Sequence, residues 1–391
     1  MTTVTAGSVL LPRRDGSFVP YAPGEPRTFP RPVQPLESRV FFAAAHVVSD
    51  PLAEPDGSAF TRLDWELTLA FRRHLWSYGL GVAEAMDTAQ RGNGLDWSAA
   101  RELIRRSAAE ARSVGGRIAA GAGTDQLQAG LATLDRVEQA YLEQCAFVEG
   151  QGVQVILMAS RALAAAGRHA DDYRRVYGTV LEQVREPVII HWLGDMFDPQ
   201  LAGYWGSRDP REEIDVVVAL VTEHADRVDG IKISLLDAGH EIELRRRLPD
   251  GVRVYTGDDL NYPALIRSDG ERSSDALLGI FDPIAPVASA ALQALDAGEP
   301  ERFEELLVLT LPLARHLFSP PTFHYKTGIV FLAWLTGHQP HFRMVGGAEG
   351  ARSLIHLAEA FVLADQAGLL PDPELAVARM QRLLAVAGVG P

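Results

Sequence analysis

Eight short apolar runs, separated by amphipathic stretches, occupy the middle of the chain and restrict the folds that it can adopt. The runs are residues 40–45, 78–83, 116–120, 153–158, 187–190, 228–233, 252–256 and 276–280. Between them, apolar residues return every three or four positions, as in 97–114 and 125–149, which is typical of helices packed on one face. Buried strands that alternate with helices over about 250 residues predict an α/β protein with a (β/α)8 TIM barrel. The alternative is an open doubly wound sheet.

The two flanks of this pattern differ from it. Residues 1–35 contain seven prolines and no helical period, so we expect an extended N-terminal arm that lies on a neighbouring surface. The barrel is expected over 36–290, because no strand pattern returns after Pro283. Residues 291–391 then form a C-terminal helical extension, with helices expected near 285–297, 300–318, 325–336, 349–368 and 372–386.

Charge and cysteine content exclude several classes of protein. The formal charge of −14 argues against a nucleic-acid partner, since phosphates attract basic surfaces. No apolar run approaches the roughly 18 to 20 residues that span a bilayer, and the start lacks the pattern of a signal peptide, so we expect no membrane partner. Cys145 is the only cysteine and is predicted to be a small core residue. A reducing compartment, the cytoplasm, fits this composition.

Lysine is scarce: Lys232 and Lys326 are the only lysines among 37 basic residues. Side chains alternate faces along a strand, so Lys232 and Ser234 are predicted to point into the barrel while Ile231 and Ile233 pack outward. A partly desolvated amine has a lowered pKa and can attack a carbonyl carbon to form an iminium. The alternative is a buried lysine that forms a structural ion pair with Asp258 or Asp259.

The second lysine has a different setting. Lys326 begins a helix of the extension among apolar neighbours, so a structural or interface amine is favoured, although it could reach a neighbouring active site. Residues 338–343 form a polar loop that we treat as a lid candidate.

Four segments, in order, resemble the dihydrodipicolinate synthase and N-acetylneuraminate lyase family of class I aldolases. Gly230-Ile231-Lys232 resembles its Schiff-base strand, 186–191 its fifth strand, 255–259 its seventh, and 116–123 its third strand and loop. The likeness covers about residues 36–320, and the whole chain is similar to a divergent bacterial branch of that superfamily. The resemblance implies a barrel with a helical C-terminal extension, usually a homo-oligomer, in which Lys232 forms an imine with a keto substrate and no other cofactor is needed.

The positions at which this sequence differs from the family are ones that bind or react with the family's substrate. His191 stands where the family has a proton-relay tyrosine, and the family's pyruvate-binding loop after strand two is replaced by 84–88, with Glu84 and Asp87. Carboxylates repel a substrate carboxylate but accept hydrogen bonds from sugar hydroxyls. A polyhydroxylated keto sugar derivative is therefore expected rather than pyruvate.

The remaining candidates each carry two interpretations. His191 is a proton shuttle or a hydrogen-bonded structural residue. Of Asp258 and Asp259, one is expected to orient the amine and the other to cap the next helix, while Ser234 faces the substrate. Arg161 follows strand four, where a second family tyrosine is missing, and binds a substrate oxyanion or lies in solvent. Glu84 and Asp87 bind hydroxyls or form helix caps and salt bridges.

The expected protein is thus a carbon-carbon or carbon-oxygen lyase of class I aldolase type that acts on a small keto compound. A metal-dependent barrel isomerase or hydrolase is the first alternative, the only one that needs a divalent metal. Its ligands would come from His46, His191, Asp195, Asp237, His240 and Asp258. The second alternative is a barrel that has lost catalysis and serves as a ligand sensor or scaffold. No nucleotide-binding glycine fingerprint stands in a strand-to-helix context, so no nicotinamide or flavin is expected.

Overall fold

A closed barrel of eight parallel strands forms the centre of the molecule. The computed structural model describes residues 7–53, 63–128, 130–267, 270 and 272–390; the first six residues of the expected arm lie outside these ranges. The strands are β1 (Val9–Pro12), β2 (Phe18–Tyr21), β3 (Phe41–Ala44), β4 (Gly81–Glu84), β5 (Ile118–Ala122), β6 (Gln154–Leu157), β7 (Val188–Leu193), β8 (Val228–Ser234), β9 (Arg253–Thr256) and β10 (Asp275–Leu278). Strands β3 to β10 pair in sequence order, and β10 closes on β3. The (β/α)8 barrel prediction is confirmed, and the open-sheet alternative is wrong.

Helices follow the strands and then continue as the C-terminal extension. They are α1 (Trp65–Ser77), α2 (Trp97–Val114), α3 (Leu134–Gly150), α4 (Arg161–Ala166), α5 (Ala170–Leu181), α6 (Pro210–Glu223), α7 (Ala238–Arg247), α8 (Tyr262–Arg267), α9 (Ala285–Asp296), α10 (Pro300–Val308), α11 (Leu311–Leu317), α12 (Tyr325–Leu335), α13 (Leu354–Gln366) and α14 (Pro373–Val386). Local chemistry explains their starts: the Asp96 and Asp209 carboxylates accept backbone N–H bonds at the beginnings of α2 and α6. No helix in these described ranges is both long and apolar enough to cross a bilayer.

Alternation along the strands separates two apolar layers. Ile231 and Ile233 of β8 belong to the cluster between barrel and helices, whereas Ile189 and Tyr255 belong to the cluster inside the barrel. Lys232 takes the opposite parity to its isoleucine neighbours, so its side chain shares the interior with the second cluster. Strand geometry alone therefore directs an amine into the barrel.

The extension and the arm pack against each other and over the barrel. Strands β1 and β2 form an antiparallel pair in which Val9 and Leu11 are buried, and the Tyr21 hydroxyl donates to Asp365 of α13 at 2.6 Å. All eleven residues of α12 are buried, from Tyr325 to Leu335. A helix without a solvent face lies between other elements. The first turn of α12 reaches the barrel mouth, which is the end of the barrel where the strands β3 to β10 end.

Candidate active site

Lys232 carries a buried amine that makes no hydrogen bond to the described residues. The residue is 8% exposed, and within the described ranges its Nζ makes no hydrogen bond and has no carboxylate oxygen within 4.0 Å. Burial lowers the pKa of Lys232 to about 8, and the negative charges of Asp259 and Asp87 limit that fall. A larger fraction of the amine is thus neutral at physiological pH than for an exposed lysine, and among the described residues the amine is not held in the salt bridge that the alternative interpretation required.

Asp259 and Asp258 follow β9 and differ in their partners. Asp259 Oδ1 accepts from the Ile280 backbone N–H at 2.8 Å, and burial raises the pKa of this carboxyl to about 7. Asp258 accepts from the backbone N–H groups of Leu260 and Asn261 at 2.9 and 3.1 Å, at the start of α8. Asp259 therefore provides the charge that acts on the amine, while Asp258 fixes the backbone that leads into the helix.

His191 and Ser234 lie beside the amine inside the barrel. The register of β7 and β8 pairs His191 with Lys232, and His191 Nε2 lies 3.3 Å from Ser234 Oγ. Burial, and then the charge of Lys232, lower the pKa of His191 well below its ordinary value, so the imidazole is neutral. A Cβ at Gly257 would collide with Ser234 Oγ and lie 3.0 Å from Lys232 Cε, so glycine at this position leaves the space that both side chains occupy.

Glu84 requires a correction, because its expected contact with substrate hydroxyls does not fit its surroundings. Both its carboxylate oxygens bond to Arg72 of α1, each at 2.9 Å, and both side chains are fully buried. Oε1 also accepts from the Ala85 backbone N–H. With its oxygens in these bonds, Glu84 joins β4 to α1 and is left out of the candidate substrate site.

Asp87 lies at the mouth, where it meets the second lysine of the chain. Lys326 Nζ is 2.9 Å from Asp87 Oδ2 and 3.0 Å from the Phe323 carbonyl, to which it donates. Asp87 also acts electrostatically on Lys232, so its charge affects both lysines of the sequence. Lys326 thus lies at the mouth of its own barrel, whereas the sequence favoured a structural or interface amine. The scarcity of lysine was the one feature of the sequence that could have indicated this position.

Tyr325 is a member of the site that the sequence analysis missed. Its hydroxyl lies 2.7 Å from Thr88 Oγ1, and both residues are buried. The aromatic and basic residues that open α12, at 323–326, were its only sequence signal. An extension helix more than 230 residues away in sequence thereby contributes a phenol to the mouth.

A cavity of about 260 Å³ opens above the ends of β4 to β7 and extends to Asp87. Lys232 is not part of its wall, whereas Asp87 lines the cavity and acts electrostatically on the amine. Arg161 lines the cavity, with its Nε 2.5 Å from Asp198 and its Nη1 donating to the Gly92 carbonyl at 3.0 Å. Thr124 and Ser160 also line the cavity, and their hydroxyl oxygens are 2.5 Å apart. The cavity therefore offers hydroxyl, carboxylate and guanidinium groups.

The residues of the metal alternative do not converge. His46 Nδ1 lies 2.8 Å from Asp282, and His240 Nδ1 lies 3.3 Å from Asp237. Throughout the residues with described positions, no three histidine, cysteine, aspartate or glutamate side chains form a group that could hold a metal ion. This arrangement does not favour the metal-dependent alternative.

The predicted lid loop packs against helix α1. The ring of His338 lies 4.2 Å from that of His74 and 5.0 Å from that of Phe71. Just beyond the loop, Gln90 bonds to both the N–H and the carbonyl of Val345. Whether the loop moves stays a prediction.

Solved structures of dihydrodipicolinate synthases have a similar fold. One, described as a monomeric dihydrodipicolinate synthase variant, has a TM-score of 0.62 at 14% identity and covers 87% of this chain and 100% of that chain. The enzyme from Thermotoga maritima has a TM-score of 0.61 at 13% identity, covering 85% and 100%. The enzyme from Aquifex aeolicus has a TM-score of 0.60 at 13% identity, covering 90% and 98%. At these identities the likeness concerns the fold, a TIM barrel with C-terminal helices.

Sequence comparison gives the family. No curated protein matches the chain. A family model described as "Protein of unknown function (DUF993)" matches residues 9–389, which is nearly the whole length. The chain belongs to this family.

Proposed function

We propose that the protein is a lyase of class I aldolase type, in which the neutral amine of Lys232 forms an iminium with a small keto compound. One observation carries the proposal: a lysine inside the barrel whose amine is buried, has a lowered pKa and lacks a hydrogen-bonded or ion-paired partner in the described residues. Burying an amine without a partner destabilises a protein, so its retention favours a chemical role. The iminium then draws electrons from the adjacent carbon-carbon or carbon-oxygen bond, and that bond breaks.

The proposed substrate is a polyhydroxylated keto compound. The charges around the cavity are already compensated in pairs: Arg161 with Asp198, Lys326 with Asp87. Asp125 likewise pairs with Arg91 at 2.7 Å. A substrate carboxylate would therefore meet no uncompensated cation at these positions, whereas hydroxyl groups can exchange hydrogen bonds with the paired carboxylates and with Ser160.

The similarity of the fold to dihydrodipicolinate synthases supports the choice of lyase chemistry. These proteins differ from the present chain at more than four fifths of the aligned positions, so the support is an analogy of fold. The burial and lowered pKa of Lys232 support the same chemistry independently of that analogy.

Borohydride trapping tests the proposal. The purified protein is incubated with dihydroxyacetone, D-fructose or pyruvate, reduced with borohydride and analysed by peptide mass spectrometry. We expect a mass adduct on Lys232 with at least one keto sugar, absent from Lys232→Met and retained in Lys326→Met, which removes the other lysine. Absence of an adduct on Lys232 with all three compounds would make the proposal wrong; faster trapping with pyruvate would overturn only the substrate class.

We also propose that the protein acts in the cytoplasm as a homo-oligomer. Cys145 is buried, and burial raises the pKa of its thiol to about 12, which suits a structural thiol in a reducing compartment. The assembly is proposed from the family resemblance. Light scattering on the purified protein tests it, and a monomeric mass at micromolar concentration would contradict it.

A further inference from the structure

A second cavity, of about 350 Å³, lies between the loops that follow β7 and β8 and the start of α6. Apolar side chains form part of its wall, among them Trp192 and Leu235. Three acidic residues complete that wall, namely Asp195 after β7, Asp237 after β8 and Glu213 of α6. The cavity therefore combines an apolar surface with an excess of negative charge.

Glu213, in the first turn of α6, has a buried side chain without a counter-charge. The residue is 9% exposed and lines the cavity, and its carboxylate forms no hydrogen bond or ion pair with any residue of the described ranges. A buried carboxylate without a partner is uncommon, because nothing offsets the cost of removing it from water. The cavity is the place from which a partner can reach it.

The surroundings of Glu213 disfavour its charged form. Burial, and then the negative charges of Asp195 and Asp209, raise the pKa of Glu213 to about 8. Near pH 7 the carboxyl therefore keeps a proton where a counter-charge could stand. Arg208 also lines the cavity, but it is exposed, and within the described part of the chain no carboxylate oxygen lies within 4.0 Å of its guanidinium. A cation that enters the cavity would supply the missing charge and displace the proton.

The walls fit an organic ammonium ion better than a metal ion. No three histidine, cysteine, aspartate or glutamate side chains with described positions form a group that could hold a metal ion, so Asp195, Glu213 and Asp237 do not converge on one point. An ammonium head has three N–H donors for separate carboxylate oxygens, and Trp192 and Leu235 offer an apolar surface to an alkyl chain. The head and the chain each match part of the wall.

We propose that this cavity binds a small aliphatic ammonium ion, whose charged head pairs with Glu213. The inference goes beyond the proposed function, because such a ligand has no carbonyl carbon for Lys232 to attack. Leu193 and Leu201 line both this cavity and the candidate substrate cavity. An occupant of the second cavity therefore contacts residues that also bound the first.

Calorimetric titration of the purified protein with n-butylammonium chloride tests the inference. At pH 9 Glu213 is ionised, and the probe is still charged because an alkyl amine has a pKa of about 10.4. We expect binding by the wild type and at least tenfold weaker binding by Glu213→Gln, which removes the charge and keeps the shape. The matched control is Glu212→Gln, expected to bind within twofold of the wild type, since Glu212 is exposed and accepts from Ser207 Oγ at 2.6 Å. The neutral analogue 1-butanol should bind at least tenfold more weakly than the ammonium ion.

Proton release gives a second measurement. The wild type should bind the probe about tenfold more tightly at pH 9 than at pH 7, because binding at pH 7 displaces the proton of Glu213. Titrations in two buffers of different ionisation enthalpy should show the release of nearly one proton at pH 7 and almost none at pH 9. The release should be absent from Glu213→Gln and should persist in His240→Gln, which removes the imidazole that lines the same cavity. The other charged or titratable groups around Glu213 are Tyr173, Asp195, Tyr204, Arg208, Asp209 and Asp237.

Three results would each overturn the inference: no binding of n-butylammonium by the wild type at pH 9, equal affinities of Glu213→Gln and the wild type, or equal affinities for the ammonium ion and 1-butanol. If Glu213→Gln does not fold, the wild type decides, since binding at pH 7 without proton release would also overturn it. None of these results bears on imine formation, which the borohydride experiment tests separately.

Discussion

Lys326 Nζ lies 2.9 Å from Asp87 Oδ2, and the two residues belong to elements that are far apart in the sequence. Asp87 follows β4 of the barrel, whereas Lys326 belongs to the first turn of α12. The Lys326 side chain is 4% exposed and that of Asp87 19% exposed, so water screens this pair only partly. The ion pair therefore joins the extension to the barrel beside the cavity that Asp87 lines.

A double-mutant cycle measures the interaction energy between Asp87 and Lys326. Removing one partner leaves the other charge poorly solvated, so Asp87→Asn and Lys326→Met should each destabilise the fold, and the double variant should be less destabilised than their sum. We expect a coupling energy of about 0.5–3 kcal/mol in urea unfolding, the range for residues in direct contact. Additive effects would show that the pair contributes nothing to the docking of α12. Lys326→Met should also raise the pKa of Lys232, since Asp87 loses its compensating charge.

The buried pair of Arg72 and Glu84 should matter for stability rather than for substrate affinity. Both side chains have no exposed surface, and two hydrogen bonds of 2.9 Å join them. Glu84→Gln or Arg72→Met is expected to lower the free energy of unfolding by about 3–5 kcal/mol, because each leaves a buried charge without its partner. The exposed pair of Arg105 and Glu102 is the matched control, and Arg105→Met should cost about 1 kcal/mol or less.

The affinity for dihydroxyacetone distinguishes a structural role of Glu84 from a role in substrate binding. If Glu84→Gln left stability unchanged and weakened binding of dihydroxyacetone, Glu84 would return to the substrate site. The expected result is the reverse.

The sequence predicted the barrel because each strand carries its own signal. Runs such as 228–233 are short, apolar and followed by an amphipathic helix, and period-two alternation suffices to turn Lys232 inward. Asp258 bonds to the backbone that leads into α8, as one of the two predicted roles requires, while the orientation of the amine by Asp259 stays a prediction. Local patterns determine such features, so a single sequence contains them.

Partners from distant elements could not be predicted in the same way. Arg72 sits on a helix face that meets β4 only in the folded barrel, so the sequence could not decide whether Glu84 binds hydroxyls or forms a salt bridge, nor name Arg72 as the partner. Tyr325 and Lys326 lie in a helix that is buried on all sides, where no periodicity marks the face that reaches the mouth. Their roles depend on how the extension packs, and that is a tertiary property.

The pH dependence of imine formation should report the amine. Burial lowers the pKa of Lys232 to about 8, so the initial rate of trapping should rise with pH and reach half its plateau near pH 8. Asp259→Asn removes a negative charge that favours the protonated amine, so the midpoint should move to lower pH. Asp258→Asn is the control, since Asp258 bonds to the start of α8 and should shift the midpoint less. A midpoint near the ordinary lysine value of about 10.4 would show that the amine is solvated.

Lys232→Met should make the protein more stable at neutral pH, and the gain should disappear in alkali. The pKa of Lys232 is lowered from 10.5 to about 8 in the folded state, so below pH 8 the lysine is charged in both states and its burial penalty is fully present. Between about pH 8 and 10.5 the folded protein releases the proton before the unfolded chain does, and the wild type gains stability as pH rises. With about 1.4 kcal/mol for each unit of pKa shift, the variant should be about 3 kcal/mol more stable at pH 7. Urea unfolding of both proteins from pH 7 to 10.5 measures the difference, and Lys326→Met, which breaks an ion pair instead, should be destabilised at pH 7.

A Lys232→Met protein less stable than the wild type at pH 7 would mean that the amine stabilises the fold, which would remove the physical ground for assigning it a chemical role.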